Sequence, residues 1–125
     1  MRVSKINKNL IDSYGDIDLI QFLLSNFTLN VPLRIQETKN FIDDLNDKSV
    51  MKSLHVLKNL FGNIGAESAA EFCQMLEDDV KKHGCLFIKD ELLKLSSEFE
   101  IVQKELQVIV AEKMRINTKS SITSK

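Results

Sequence analysis

The sequence predicts an all-α fold, for two reasons. Only one proline and four glycines interrupt the 125 residues, and no stretch alternates apolar and polar side chains with the two-residue period of a strand. Several segments instead repeat apolar residues at spacings of three and four, which places them on one helix face. Short connections favour antiparallel neighbours, so we expect an up-and-down four-helix bundle with a short additional N-terminal helix.

Helix-ending residues mark the first two elements. We expect a short helix from Asn7 to Tyr14 that is closed by Gly15, and a second helix that is capped by Asp16. The second helix contains Pro32, which lacks an amide hydrogen and crowds the preceding turn. We therefore expect this helix to kink, or to restart at Leu33.

Three further helices follow. The third begins between Asp47 and Ser49 and ends at Gly65, and the fourth runs from Ala66 to His83 and is closed by Gly84. The last begins at Asp90, and its apolar residues alternate spacings of three and four, which indicates a bundle seam or a short coiled coil. That seam consists of Leu92, Leu95, Phe99, Val102, Leu106 and Ile109.

These elements divide the chain into three parts. Residues 1–15 form the short N-terminal helix that caps the bundle, residues 16–116 form the bundle, and residues 117–125 are a polar tail that we expect to fray. One domain of this size can bury a core without metals or disulfides. Cys73 and Cys85 have no companions at metal-ligand spacing, so we interpret both as free thiols and expect no metal site.

Composition narrows the classes of partner. Seventeen basic residues against eighteen acidic ones give a net charge of −1, which offers no support for nucleic-acid binding. No apolar run approaches the roughly 18 residues of a transmembrane span, and the first residues do not continue into a secretory signal. We therefore expect a cytoplasmic protein without membrane insertion.

His55 lies at the edge of the apolar face of the third helix. It is about 100° round the helix from Leu54, on the side that also carries Met51, Lys58, Asn59 and Gly62. We therefore expect its ring to be half supported and half in solvent. The apolar face itself consists of Val50, Leu54, Leu57, Phe61 and Ile64.

This arrangement suits a transient phosphoryl acceptor. A neutral imidazole is nucleophilic near pH 7 and can be reached by a donor protein when it faces solvent. Lys58, one turn after His55, can place its ammonium beside phosphoryl oxygens. Gly62 removes bulk along the same face, although a glycine inside a helix costs roughly 0.5–1 kcal/mol relative to alanine.

The segment resembles the histidine-phosphotransfer (HPt) domain family of two-component phosphorelays. The family pattern is His, any residue, an apolar residue, Lys and Gly, then small residues that end in Gly-Ala. The resemblance covers positions from about Asp16 to Gly84. The matching positions here are His55, Leu57, Lys58, Gly62, Asn63, Ile64, Gly65 and Ala66, and the next helix continues the match with Cys73, Leu76 and Glu77.

The resemblance implies a phosphorelay intermediary. His55 would accept a phosphoryl group from an aspartate of a response-regulator receiver domain and pass it to another receiver. Magnesium is expected on the receiver, so the chain needs no cofactor of its own. It could be freestanding or part of a hybrid sensor histidine kinase, and the isolated family is usually monomeric. No Gly-rich ATP-binding motif is present, so we do not expect an ATP-dependent kinase.

Asn59 departs from the family pattern, which usually has Gly directly after the Lys. Its side chain can crowd a docking partner or hydrogen-bond the imidazole. Two alternatives therefore stay open beside the active carrier. One is a bundle that docks receivers without transferring phosphoryl groups, and the other is a purely structural bundle that self-associates through the seam of the last helix.

The residues expected to support His55, by orienting its ring or by docking a receiver, each have two interpretations. Glu77 matches the family position that faces the phosphorylated ring, yet it also stands in an acidic run that can simply face water. Leu19, Phe22 and Leu23 exceed what one core stripe of the second helix needs. The resemblance implies that such a patch receives a receiver domain, so Phe22, Leu23 and Met51 are the docking candidates. Alternatively, the first and last helices cover them.

Overall fold

The computed structural model describes the backbone of residues 5–123 and the side chains of residues 5–116. Every regular element in this part of the chain is helical, so the all-α prediction is confirmed. A 3₁₀ helix that the sequence did not indicate separates the last two α-helices. The elements are α1 (Lys8–Tyr14), α2 (Ile17–Asp43), α3 (Asp47–Asn63), α4 (Glu67–His83), the 3₁₀ helix (Cys85–Ile88) and α5 (Leu93–Thr123).

The ends of the first two helices lie close to the predicted positions. Asn7, predicted as the first residue of α1, is instead its N-cap, and its Oδ1 accepts a hydrogen bond from the Asn9 amide at 3.1 Å. Gly15 closes α1 with a φ of 71°, a conformation that costs glycine nothing. Asp16 Oδ1 accepts from the Asp18 amide at 2.9 Å and so satisfies one of the free amides at the start of α2.

Pro32 lies inside α2, which continues as one helix to Asp43, so the restart expected at Leu33 does not occur. Pro32 is exposed, whereas Phe27, Val31 and Ile35 around it are buried. A proline in a helix costs about 3 kcal/mol, and the burial of these three side chains offsets that cost because packing decides most helix stability in proteins.

The start of α3 agrees with the prediction, whereas the start of α5 does not. Asn46 caps α3 by accepting from the Ser49 amide at 3.1 Å. After Gly84 the Cys85 amide donates to Asp47 Oδ1 at 3.0 Å, which ties the 3₁₀ helix to the start of α3 and delays α5 to Leu93. The backbone is helical up to Thr123, and the side chains from residue 117 onward lie outside the described residues, so the frayed tail stays a prediction.

The core lies where three helices meet. The Phe27 ring of α2 packs edge-on against Phe61 of α3, with centroids 5.4 Å apart. It packs at a tilt of 33° against Phe99 of α5, with centroids 5.2 Å apart. Aromatic pairs at these separations add about 0.5–1.5 kcal/mol beyond the area they bury. Five of the six predicted seam residues are buried and Phe99 is partly buried, so the predicted seam faces the core, although Leu92 lies just before α5 begins.

Contacts between neighbouring helices show their directions. α3 packs between α2 and α4, and α2 also packs against α5. Along α2 and α3, Thr38 meets Ser53 and Phe27 meets Phe61, so the two helices are antiparallel. The Thr38 and Ser53 hydroxyl oxygens are 2.6 Å apart and both residues are buried, which makes them the polar contact that sets the register of this pair.

The N-terminal segment is fastened to the turn between α3 and α4. The Asn7 amide donates to the Gly65 carbonyl at 2.9 Å, and the Tyr14 hydroxyl donates to the Asn63 carbonyl at 2.7 Å. Gly65 has a φ of 79°, and a Cβ there would lie 3.0 Å from the Asn7 backbone. Gly65 is therefore a glycine that the fold itself requires.

Candidate functional site

The structure places His55 on the outward edge of α3, as predicted. Leu54 and Leu57 are fully buried beside it, whereas the His55 side chain is 60 % exposed. One edge of the ring faces α4 and the other faces solvent. A buried helix face therefore holds the backbone of His55 while leaving its imidazole accessible.

Glu77 of α4 lies beneath the ring of His55. Its Oε1 is 3.4 Å from His55 Nδ1, and the side chain is only 18 % exposed. This oxygen is buried, and no donor among the described residues hydrogen-bonds it. The imidazole N–H is therefore the donor best placed to satisfy it, since a buried acceptor without a partner costs about 1–3 kcal/mol. Of the two interpretations of Glu77, the solvated one does not describe this contact.

Lys58 reaches across to the same helix. Its Nζ donates to Gln74 Oε1 at 2.7 Å, and Gln74 Nε2 donates to Asp78 Oδ1 at 3.0 Å. The Lys58 ammonium is thus held by a neutral amide. The carboxylate of Asp78 bonds to Gln74 and not directly to Lys58. The sequence did not indicate Gln74, because only the packing of α3 on α4 brings it to Lys58.

Cys73 lies in the core below these two pairs. Burial, together with a smaller effect of the negative charge of Glu77, raises the pKa of its thiol to about 12, and the positive charge of Lys58 opposes the change. Both Cys73 and Cys85 are buried free thiols, as predicted. The thiol of Cys73 is therefore neutral near pH 7 and takes no part in nucleophilic chemistry.

The surface next to His55 is open. A Cβ added to Gly62 would meet no heavy atom within 4 Å, so none of the described residues fills the space above it. Asn59, one turn after His55, is exposed, and its amide stands at the edge of this open surface. A partner that approaches His55 along α3 would meet Asn59 and pass over Gly62.

The three predicted docking residues are not equivalent. Phe22 is 64 % exposed, whereas Leu23 and Met51 are partly buried against the core. Met51 is one turn before His55. In the register set by Thr38 and Ser53, Phe22 lies about 20 Å along the helix axes from the level of His55, so the structure does not bring it to the imidazole.

Two leucines of α2 that the sequence did not single out lie closer to that level. Leu33 and Leu29 are exposed, and by the same register they stand level with Lys58 and Gly62. Residues 19–33 contain no charged side chain. An uncharged apolar surface of this kind usually marks a contact with another molecule. The sequence could not single out Leu29 and Leu33, because it does not contain the register of α2 on α3.

The described residues contain neither a cluster of metal ligands nor a membrane-spanning helix. No group of three His, Cys, Asp or Glu side chains within them is placed to hold a metal ion. No helix within residues 5–123 has the length and apolar character needed to cross a bilayer. Chemically, this arrangement can present Nε2 of His55 to an electrophile that arrives from solvent.

Comparison with known proteins gives no further guide to this site. No protein-family model, curated protein or solved structure matches the chain.

Proposed function

We propose that this chain is a phosphorelay intermediary that carries a phosphoryl group on His55 between receiver-domain aspartates. One observation carries the proposal: His55 Nδ1 lies 3.4 Å from the buried Glu77 carboxylate while the ring is mostly exposed. This contact favours the tautomer with the proton on Nδ1, because a carboxylate accepts a hydrogen bond. Nε2 then keeps its lone pair and is the nucleophile.

The transfer step balances without an added proton. The Nε2 lone pair attacks the phosphorus of an aspartyl phosphate, the P–O bond to the aspartate breaks, and the carboxylate leaves with the bonding electrons. The phosphorylated ring keeps its Nδ1 proton and becomes positively charged, and Glu77 offsets that charge. The reverse step on a second receiver returns the neutral imidazole.

Lys58 and Gly62 support this step in different ways. The Lys58 ammonium, one turn from His55, can turn from Gln74 to the phosphoryl oxygens and offset their negative charge. The open surface over Gly62 admits the donor. The receiver would supply Mg²⁺, since a cation on the transferring phosphoryl group is a recurrent requirement of this chemistry.

The fold that we propose for this function is an antiparallel four-helix bundle built by α2 to α5, with α1 as a cap on one end. The antiparallel contacts between α2 and α3 support it, as do the paired contacts of α3 with α4 and of α2 with α5. A carrier for receiver domains would work in the cytoplasm as a monomer, with receivers or a hybrid sensor kinase as partners.

The test is phosphoryl transfer from radiolabelled receiver domains to the wild-type chain and to His55→Gln. We expect label on the wild type alone, labile in acid and stable in base, as a phosphoramidate is. Glu77→Gln keeps a hydrogen-bond acceptor without the charge and should slow transfer without abolishing it. Label of equal amount on His55→Gln would contradict the proposal.

A second candidate function is receiver docking without transfer, and exposed Asn59 is the observation that favours it. Binding of receivers that is equal for the wild type and His55→Gln, with no label on either, would support this alternative. Asn59→Gly would then be the informative variant, since it restores the residue that the HPt pattern has there. A gain of transfer in that variant would identify Asn59 as the block.

A further inference from the structure

Helix α3 carries an uneven charge. It contains three lysines, Lys48, Lys52 and Lys58, against one acidic residue, Asp47. Lys48 and Lys52 precede His55 by seven and three residues, so they lie on the same side of the helix as its ring. Both are exposed, and neither forms an ion pair among the described residues.

The folding of α3 does not account for these lysines. Lys48 is in the first turn, where the positive end of the helix dipole disfavours a cation by a few tenths of a kcal/mol. The acidic residue beside it, Asp47, is engaged by Cys85, whose thiol and amide hydrogen bonds lower the pKa of that carboxyl. The two exposed ammonium groups are therefore left to solvent or to a partner.

Two nearby carboxylates have contacts of their own. Glu77 lies beneath the ring of His55, and on α2, at the level of His55, Glu37 pairs with Arg34 at 2.9 Å. Asp78 of α4 is exposed and accepts from Gln74, a neutral amide. The outward side of α3 itself carries lysines and no carboxylate after Asp47, so it is cationic although the whole chain has a net charge of −1.

We propose that Lys48 and Lys52, together with Lys58, form a cationic docking stripe for the anionic surface of a receiver domain around its phosphorylated aspartate. This inference rests on the proposed function and adds the kind of surface that the partner presents. An aspartyl phosphate is anionic, and carboxylates that hold Mg²⁺ beside it add negative charge. The complementary charges speed the encounter and orient the donor toward His55.

The experiment measures the second-order rate of transfer from a ³²P-labelled receiver domain as a function of salt. The test variant is Lys48→Gln/Lys52→Gln. The matched control is Lys104→Gln/Arg115→Gln, which removes the same charge from exposed positions of α5. At about 0.02 M salt we expect the test variant to transfer roughly 5–20-fold more slowly than the wild type, and the difference to fall below about twofold at 0.5 M. The control should stay within about twofold throughout.

A small donor separates docking from chemistry. Phosphoramidate brings no protein surface, so the wild type and the Lys48→Gln/Lys52→Gln variant should become phosphorylated on His55 at the same rate. A slower rate for the variant with phosphoramidate would assign the lysines to the chemical step and overturn the proposal. Equal slowing of the α5 control would also overturn it, because net charge and not the stripe would then be responsible.

The proposed function and the inference fail in different ways. If neither a receiver nor phosphoramidate labels the wild type, the phosphorelay function is wrong, and the proposal of a receiver-docking stripe is wrong with it. If the wild type is labelled and the test variant equals it at low salt, the function stands and the stripe alone is wrong. Binding of the wild type, but not the variant, to anionic lipid vesicles with unchanged transfer would assign the stripe to a membrane and overturn the proposal.

Discussion

Gly65, at the end of α3, and Gly62, on its outward face, differ in what the fold requires of them. Gly65 has a positive φ, and a Cβ there would meet the Asn7 backbone at 3.0 Å. Gly62 is helical and has only open space beside it. The fold needs the first glycine and gains nothing from the second, so Gly62 is the one that the proposed docking of a receiver beside His55 can explain.

The largest effect should come from Gly65→Ala. The left-handed backbone disfavours a Cβ, and the contact with Asn7 adds a steric cost, so we expect the free energy of unfolding to fall by about 2–4 kcal/mol. Gly15→Ala is the matched control, because Gly15 has a similar φ but no atom within 4 Å of a Cβ. Urea unfolding followed by circular dichroism measures both, and equal losses would contradict the steric role of Asn7.

Gly62→Ala should act in the opposite sense on stability and transfer. Alanine favours the helix, so the free energy of unfolding should rise by about 0.5–1 kcal/mol. The added methyl group stands on the docking surface, and we expect transfer from a receiver to slow about tenfold while phosphoramidate labelling is unchanged. If the variant were more stable and transferred at an equal or faster rate, Gly62 would have no role in docking, and the contrast with Gly65 would be wrong.

Gln74→Glu tests the hydrogen bond that holds Lys58. A carboxylate in place of the amide would neutralise the ammonium that now bonds to Gln74 at 2.7 Å. We expect the single-turnover rate of transfer to fall about three- to fivefold, with little change in receiver affinity. Gln74→Met removes the hydrogen bond without adding charge, so the same loss in that variant would refute the electrostatic explanation.

The smallest effect concerns the core below the site. The pKa of Cys73 is raised from 9.0 to about 12 in the folded chain, so the native thiol stays protonated where the unfolded one ionises. Its contribution to stability is complete well below pH 9 and is lost as pH rises through 9 toward 12. Between pH 7 and pH 9 Cys73 should account for a loss of about 0.4 kcal/mol. Cys85, whose pKa burial raises to about 11, adds a similar loss, so Cys73→Ala should remove about half of the slope in urea unfolding.

The sequence predicted the helices well because their signals are local. Asn7, Gly15, Asp16 and Gly84 act on the backbone within one turn, and the structure uses each of them at a helix end. Pro32 is the exception, since side chains buried around it keep α2 continuous. The 3₁₀ helix was missed because Asp47, 38 residues earlier in the chain, receives the Cys85 amide.

The candidate site was predicted only in part, for a similar reason. His55, Lys58, Asn59 and Gly62 share one helix, so their spacing was enough to group them. Gln74 meets Lys58 only through the packing of two helices. Leu29 and Leu33 stand level with Gly62 and Lys58 only through the register of α2 on α3. Sequence spacing carries no information on such alignment between elements.

The buried hydroxyl pair of Thr38 and Ser53 has a consequence for structural uniqueness. Apolar helix surfaces can slide past one another by a turn, about 5.4 Å, at modest cost. Thr38 also donates to the Arg34 carbonyl of its own helix at 2.7 Å, so the buried Ser53 hydroxyl is the group that would lose its partner in such a slide. The contact therefore favours one alignment of α2 on α3. Alanine in place of Ser53 would keep the helices and loosen that alignment, and Leu29 and Leu33 would then no longer stand at one fixed level along α3.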